Sequence, residues 1–382
     1  MMAIAAIAIA ACTTQKQAEP EKTVAQQLME RLDTLRNKGY MFGHQDDPFY
    51  GLTWDYQPDS SDVKNVCGDW PAVMGFEIGG IEMGDEKNLD SVPFTKMREE
   101  IIKHHERGGI VTISWHPHNP LTTIPGGGLA GQKFPEGTAW DISDTTVVKN
   151  VLVGGSHEKA FIGWMTRVGD FLETLKTADG QKVPIIFRPW HENTGSWFWW
   201  GEKLCTADEY KGLWNLLQDY LNGRGFDNLL WADSPGMAAN LDEAKYLERY
   251  PGDDIIDVVG LDCYCFAPDA DTVKVAKFAD DLDKNLAMVG KVAKAHNKVM
   301  ALTETGYEGI KTSDWWTKTL APVLAKYPIG YVLVWRNARE RPQHHFAPYP
   351  GHVSTTNFVE FYNLNETLFL HDVSGLYLSN NN

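Results

Sequence analysis

Eight times along this chain a short, near-continuously hydrophobic run is followed by a stretch of different periodicity. The runs are 40–44, 71–79, 109–116, 184–192, 228–235, 257–264, 299–306 and 330–337, and their starts are separated by 31, 38, 75, 44, 29, 42 and 31 residues. Half-solvated strands would alternate apolar and polar residues; these do not, so each is predicted to be a strand covered on both faces. The intervening segments place apolar residues on one helical face: Val24, Leu28, Leu32 and Leu35 in 22–38, and Phe94, Met97, Ile101 and Ile102 in 94–108, which Gly108-Gly109 terminates. Segments 158–176, 207–222 and 272–295 are amphipathic in the same way, and 313–327 is a helix kinked or shortened by Pro322. Strict strand-then-helix alternation predicts an α/β chain folded as a single-domain (β/α)8 barrel over residues 22–382. Periodicity alone leaves a doubly wound open sheet as the alternative.

With 382 residues, 43% of them hydrophobic, the chain can build a large core. Its net charge of −16 argues against a partner that is tracked by its phosphates, so no nucleic acid is expected. Nothing after residue 12 approaches the ~18 apolar residues of a membrane-spanning helix. The 14 Trp either fill the core or offer flat apolar faces to a ligand such as a sugar.

Residues 1–12, MMAIAAIAIAAC, form an apolar stretch with small residues before Cys12, and a polar run follows. This is the pattern of a lipoprotein-type signal, although no Lys or Arg precedes it. The expectation is a signal and tether over 1–21, a lipid anchor at Cys12, and export to the cell envelope on its periplasmic or outer side. Cys67, Cys205, Cys263 and Cys265 have no zinc-ligand spacing and are expected to be free, buried thiols.

The 75-residue gap contains a Gly- and Pro-rich insertion after His116, and the last strand is followed by another long irregular segment. Both would rise from the C-terminal face of a barrel, where barrel active sites lie. The triplet Gly126-Gly127-Gly128 lacks the context of a phosphate cradle. Each strand turns polar at its C-terminal end: His44, Gln45 and Asp46; Glu77; Trp115 and His116; His191 and Glu192; Asp233; Asp262 and Tyr264; Glu304; Trp335, Arg336 and Asn337. His, Glu, Trp, Tyr and Arg thus converge on one mouth.

Glu192 and Glu304, at the ends of the fourth and seventh strands, would reach inward from opposite sides. A retaining glycosidase needs two carboxyl groups about 5–5.5 Å apart, one protonated and one ionised. Glu192 lies among Trp190, His191, Trp197, Phe198, Trp199 and Trp200, and apolar crowding raises a carboxyl pKa, which suits an acid/base. Glu304 has small neighbours, which suits an ionised nucleophile.

These residues carry a resemblance. The chain resembles glycoside hydrolase family 26, chiefly β-mannanases, within the four/seven superfamily of retaining barrel glycosidases. The similarity runs from GHQDD at 43–47 to the last strand. It is strongest in FRPWHENTGSWFWWG at 187–201 and is supported by SWHPHNP at 114–120, Asp262-Cys263-Tyr264, TETG at 303–306 and VWRN at 334–337. The resemblance implies Glu192 as acid/base and Glu304 as nucleophile. It implies that His191 orients the nucleophile and touches the sugar, that Tyr264 hydrogen-bonds Glu304, and that Trp197 stacks on the leaving-side sugar. Trp335 would floor the cleavage subsite, and His116, Asp262 and Arg336 would hold hydroxyls on the non-reducing side. Indole stacking on a sugar face adds roughly 1 kcal/mol beyond its buried area.

The activity so implied is hydrolysis of β-1,4-mannosidic bonds in mannan or galactomannan through a covalent glycosyl-enzyme, by a monomer without metal or other cofactor. The alternatives are the same chemistry on β-1,3-1,4-glucan or β-1,3-xylan, or a glycan-binding surface lipoprotein without activity. Outside this set, Trp199 and Trp200 are expected in the wall or core, and His104 and His105 on a helix surface. Asp46 and Asp47 are expected to brace a loop or cap a helix, and Glu202 and Glu308 to be solvated. His344-His345 is a loop pair.

Overall fold

Parallel pairing runs unbroken around the molecule. The computed structural model describes residues 21–123, 135–237 and 241–378. Its strands are β1 (Tyr40–Gln45), β2 (Val73–Glu77), β3 (Ile110–Trp115), β4 (Ile185–Pro189), β5 (Leu229–Asp233), β6 (Val258–Val259), β7 (Asp262–Cys265), β8 (Val299–Tyr307), β9 (Ile329–Val334) and β10 (Thr367–Leu368). Neighbours pair in parallel from β1 to β6, both β6 and β7 lie along β8, and β9 joins β8 back to β1. The sheet therefore closes as an eight-stave (β/α)8 barrel, and the open-sheet alternative falls.

The sixth stave is β6 and β7 together. It breaks at Gly260-Leu261, where the Gly260 amide donates to the Asp233 carbonyl at 2.7 Å. A Cβ on Gly260 would lie 2.6 Å from Thr303 Oγ1, so the chain there needs a residue without a side chain. All residues of β1 to β6, β8 and β9 are buried, as their uninterrupted apolar character predicts. β10 adds two residues to β1, opposite Tyr40 and Met41, and is too short to announce itself in the sequence.

Helices Val24–Leu35, Phe94–Glu106, Glu158–Glu173, Ala207–Gly223 and Thr272–Ala295 stand where the periodicity predicts them. Thr23 and Thr206 each close a capping box with the side chain three residues on, which satisfies otherwise orphaned amides. Gly108, at φ 88°, takes the left-handed turn that ends the second of these helices. Around Pro322, Trp316–Leu320 forms a π-helical turn, with the Ala321 amide donating to the Trp316 carbonyl, and Ala321–Leu324 continues as α-helix. Proline has no amide to donate back along the helix, and the widened turn accommodates that loss.

One expectation fails on this scaffold. His104 is not on the surface: it shares the buried face of Met97 and Ile101 and is completely enclosed, with Nε2 3.3 Å from the Ala72 carbonyl. Burial pushes its imidazole down to about 3, so it sits there neutral. His105, one residue on, is half-buried. Cys205, Cys263 and Cys265 are free and buried, and Cys67 is free and half-buried. Seven of the 14 Trp (115, 190, 199, 200, 214, 315 and 316) are among the largest fully buried side chains, which assigns that half to the core. Among the described residues no helix is long and apolar enough to cross a membrane. The signal-like stretch, Cys12 and Gly126-Gly127-Gly128 lie outside the described residues.

Candidate active site

The chain leaves β4 through an unusual backbone. Trp190 and Glu192 both have φ 54°, a left-handed conformation that non-glycine residues enter at a cost of order 1–3 kcal/mol. Surrounding bonds hold it there. The Trp190 carbonyl accepts from Tyr210 Oη at 2.9 Å, the His191 carbonyl from Trp200 Nε1 at 2.8 Å, and the Glu192 amide donates to the Ser234 carbonyl at 2.7 Å. Trp190, Trp199 and Trp200 are fully buried around this turn, so the Trp pair at 199–200 is wall and core, as expected. The turn aims Glu192 across the mouth.

There it meets the end of β8. One carboxylate oxygen each from Glu192, Asp262 and Glu304 lie within 4.8 Å of one another. Asp262 and Glu304 are register partners on β7 and β8, which fixes their closeness by strand pairing. Arg188, wholly buried on β4, donates Nη1 to Asp262 at 3.0 Å and Nη2 to Glu304. Tyr264 Oη donates to Glu304 Oε2 at 2.7 Å, and Thr303 Oγ1 donates to Asp262 at 2.8 Å. The guanidinium is thus already the counter-charge of two of the three carboxylates.

Glu192 is different. It is half-buried, and its carboxylate accepts from Trp197 Nε1 at 2.7 Å. Burial, and then the charge of Glu304, push its carboxyl up to about 7. A group so poised can keep a proton near neutrality and give it to a leaving oxygen, while Glu304, held by a guanidinium and a phenol, can attack. Trp197 is 43% exposed, a large indole in the open beside Glu192.

Behind the pair are two histidines. His191 Nε2 and His116 Nε2 are 2.9 Å apart, and His116 Nδ1 is 2.7 Å from Glu77 Oε2. His116 stacks on Trp140 at 5.3 Å between ring centroids, and the Trp335 ring lies 6.4 Å away. Arg336 belongs to a neighbouring cluster. It is paired with Asp90 and with Glu340, each at 2.7 Å, and Nη1 is 3.3 Å from Tyr50 Oη, whose hydroxyl donates to Asp46 at 2.7 Å. The structure therefore joins Glu192, Glu304, Asp262, Tyr264 and Trp197 by direct contacts, links the His191–His116 pair to Trp197 through the Phe198 ring, brings Trp335 to His116, and holds Arg336 in a separate ion-pair group.

Asp46 and Asp47 brace their loop: Asp46 through Tyr50 and Asp47 through His44 Nδ1 at 2.6 Å. Glu202 is not simply solvated, since Lys245 pairs with it at 2.5 Å; exposed Glu308 meets His344 Nδ1 at 2.7 Å. The other half of that loop pair, His345, is mostly buried with Nε2 3.3 Å from His352 Nε2.

The sequence of glycosyl hydrolase family 26 matches residues 17–318 of this chain. The chain belongs to glycosyl hydrolase family 26. As a family 26 glycoside hydrolase it is 34% identical over 325 residues to a mannan endo-1,4-β-mannosidase of Bifidobacterium adolescentis, covering 80% of this chain but 30% of that protein. A Bacillus subtilis enzyme of the same name is 28% identical over 303 residues, covering 77% of this chain and 73% of its own length. Among solved structures, a family 26 β-mannanase of Bacteroides ovatus is 45% identical with a TM-score of 0.86, covering 95% of this chain and 99% of that one. The catalytic domain of a Bacillus endo-β-1,4-mannanase gives 31% and 0.81, covering 94% of each.

The sequence places Glu77 among the polar strand ends without giving it a partner or role, and it does not single out Arg188. Arg188 offered a signal, a charge inside an otherwise apolar strand, which in a buried stave requires paired acids. Replacing it with Met should destabilise the fold by about 3–5 kcal/mol, because buried carboxylates lose their counter-charge. Urea unfolding reads this, and a loss under about 1 kcal/mol would contradict the network. Trp197 supports a second test. Its bond to Glu192 favours the ionised carboxylate, so Trp197→Phe should raise the Glu192 pKa above about 7. If Glu192 acts as a protonated acid, the alkaline limb of kcat/KM should move to higher pH; a shift to lower pH would count against that role.

Proposed function

We propose that this family 26 hydrolase is a retaining β-mannanase that cleaves β-1,4-mannosidic bonds within mannan or galactomannan. The observation that carries the mechanism is the carboxylate cluster. Oxygens of Glu192 and Glu304 lie within 4.8 Å, in keeping with the about 5–5.5 Å of retaining pairs and short of the about 6.5–9.5 Å that an inverting enzyme leaves for water. The substrate follows from the relatives, whose names state β-1,4-mannan hydrolysis.

In the proposed cycle Glu304 attacks the anomeric carbon while Glu192 protonates the departing oxygen. The same Glu192, now ionised, takes a proton from water as the water displaces Glu304. Tyr264 and Arg188 hold the nucleophile in line and disperse its charge. Trp197, beside the acid, faces the leaving-side sugar, and Trp335 with His116 walls the cleavage subsite. Asp262 accepts from Arg188 and Thr303, an environment that supports positioning through Arg188 over a direct hold on sugar. Arg336, ion-paired but 8% exposed, is the residue proposed for hydroxyls further toward the non-reducing end.

Reducing-sugar release from galactomannan, barley β-glucan and β-1,3-xylan tests the substrate: turnover of galactomannan at least tenfold above the others supports it, and the reverse order assigns the alternative. Viscosity falling ahead of reducing ends marks internal cleavage. We further propose that the enzyme acts as a monomer at the cell envelope, anchored through lipid on Cys12. Cys12→Ala should release it into the soluble fraction, and retention in the membrane fraction would count against the anchor.

A further inference from the structure

Two carboxylates, Glu77 at the C-terminal end of β2 and Glu82 in the Ile81–Met83 turn that follows it, each hold a histidine of the 114–118 segment. Glu82 takes His118, with the amide at 2.8 Å and Nδ1 at 2.7 Å. Glu77 takes His116, and through it reaches the reacting centre. The Glu77 carboxylate receives four donors: the Gly79 amide at 2.6 Å, the His116 amide at 2.9 Å, Ser114 Oγ at 2.6 Å and His116 Nδ1 at 2.7 Å. A wholly buried carboxylate so surrounded is held ionised.

Proton placement follows from these distances. A ring nitrogen 2.7 Å from an ionised carboxylate carries a proton, since a lone pair there would be repelled. On the far side of the ring, two imidazole nitrogens 2.9 Å apart need one proton between them. If His116 supplies it, His116 is an imidazolium and His191 keeps its own proton on Nδ1. If His191 supplies it, His116 is neutral and His191 Nδ1 is a bare acceptor. Among the described residues Nδ1 of His191 is buried and has no hydrogen-bond partner.

We propose that Glu77 is a positioning residue for hydrolysis: it holds His116 as an imidazolium that donates Nε2–H to His191, which fixes His191 with its proton on Nδ1 as a donor toward bound sugar. The inference rests on the reading of Glu192 and Glu304 as the hydrolytic pair. The groups that face His116 favour the charge. Glu77 is bonded to it, Glu304 attracts it, and Arg188 opposes it. Burial is the largest single influence and depresses the His116 pKa, but Glu77, with Glu304 behind it, turns the net direction upward. Burial, the His116 charge and Arg188 all drive His191 down, so the pair holds one charge and not two. His116 lies in van der Waals surroundings of Trp140, Phe198 and Trp335 rings, which strengthen its ion pair by excluding water.

The test uses the full chain labelled with 15N-histidine, with His116 assigned through His116→Gln. In the wild type at pH 7 both His116 nitrogens should carry protons. In Glu77→Gln, which keeps the side-chain shape, His116 should be neutral, and kcat on a manno-oligosaccharide should fall roughly 10–100-fold, with KM changed by less than about threefold. Glu77→Asp should restore part of both. A neutral His116 in the wild type overturns the proposal, and that spectrum decides even if the variants do not fold. Glu77→Gln within twofold of wild-type kcat overturns it too. So does a fall in kcat with His116 still charged, which would mean a purely structural part for Glu77. A wild type that shows the imidazolium but hydrolyses no β-mannan would overturn the underlying reading of function and leave the proton assignment standing.

Discussion

Glu304→Ala should lower kcat on β-mannan by roughly 10⁵-fold, the scale on which loss of an enzyme's nucleophile acts. Glu304 is the proposed nucleophile; strand pairing with Asp262 and the bond from Arg188 fix its position, and Tyr264 holds its second oxygen at 2.7 Å. Removing it leaves Arg188 paired with Asp262, so the barrel should survive; circular dichroism and urea unfolding check this. The vacated space admits a small anion. With added azide and an activated β-mannoside, the nucleophile should be replaced from the α face, forming a C–N bond as the aglycone oxygen leaves, and the product should be the α-mannosyl azide. Activity within tenfold of wild type, or a β-azide, would remove Glu304 from this role.

Glu192→Ala should behave differently, because its task depends on the leaving group. On mannan, whose departing sugar oxygen needs a proton, kcat/KM should fall by roughly 10³–10⁵-fold. On a dinitrophenyl β-mannoside, whose phenolate leaves without help, glycosylation should lose little and the covalent intermediate should accumulate. Azide should then speed turnover and give the β-mannosyl azide, the opposite stereochemistry from the Glu304 variant. The pH profile supplies an independent reading. With the Glu192 carboxyl pushed up to about 7 by burial and Glu304, wild-type kcat/KM on unactivated substrate should decline as pH rises through that value. The decline should be absent in Glu192→Ala with the activated substrate. An unchanged alkaline limb would assign the acid to another group.

The barrel was legible in the sequence because burial on both faces of a stave leaves an uninterrupted apolar run, and the polar residue ending each run marks the mouth. Glu192, Glu304 and Tyr264 could be read for that reason. What escaped depends on packing between distant segments. The break between β6 and β7 comes from the approach of Gly260 to Thr303, and β10 gains its meaning from lying against β1. His104 reads as a polar helix residue until its register with Met97 and Ile101 is set against the sheet. The parts of Glu77 and Arg188 are pairings over 39 and 116 positions, which no local pattern encodes, and Arg336 acquires Asp90 only when two loops meet.

The central claim is that Glu192 and Glu304 serve one pyranose by double displacement. The most direct measurement is the proton NMR spectrum of the newly formed reducing end during the first minutes of mannan oligosaccharide cleavage, before mutarotation. Double displacement at Glu192 and Glu304 should give the β-anomer first, with the α-anomer growing in later; first appearance of the α-anomer would contradict it.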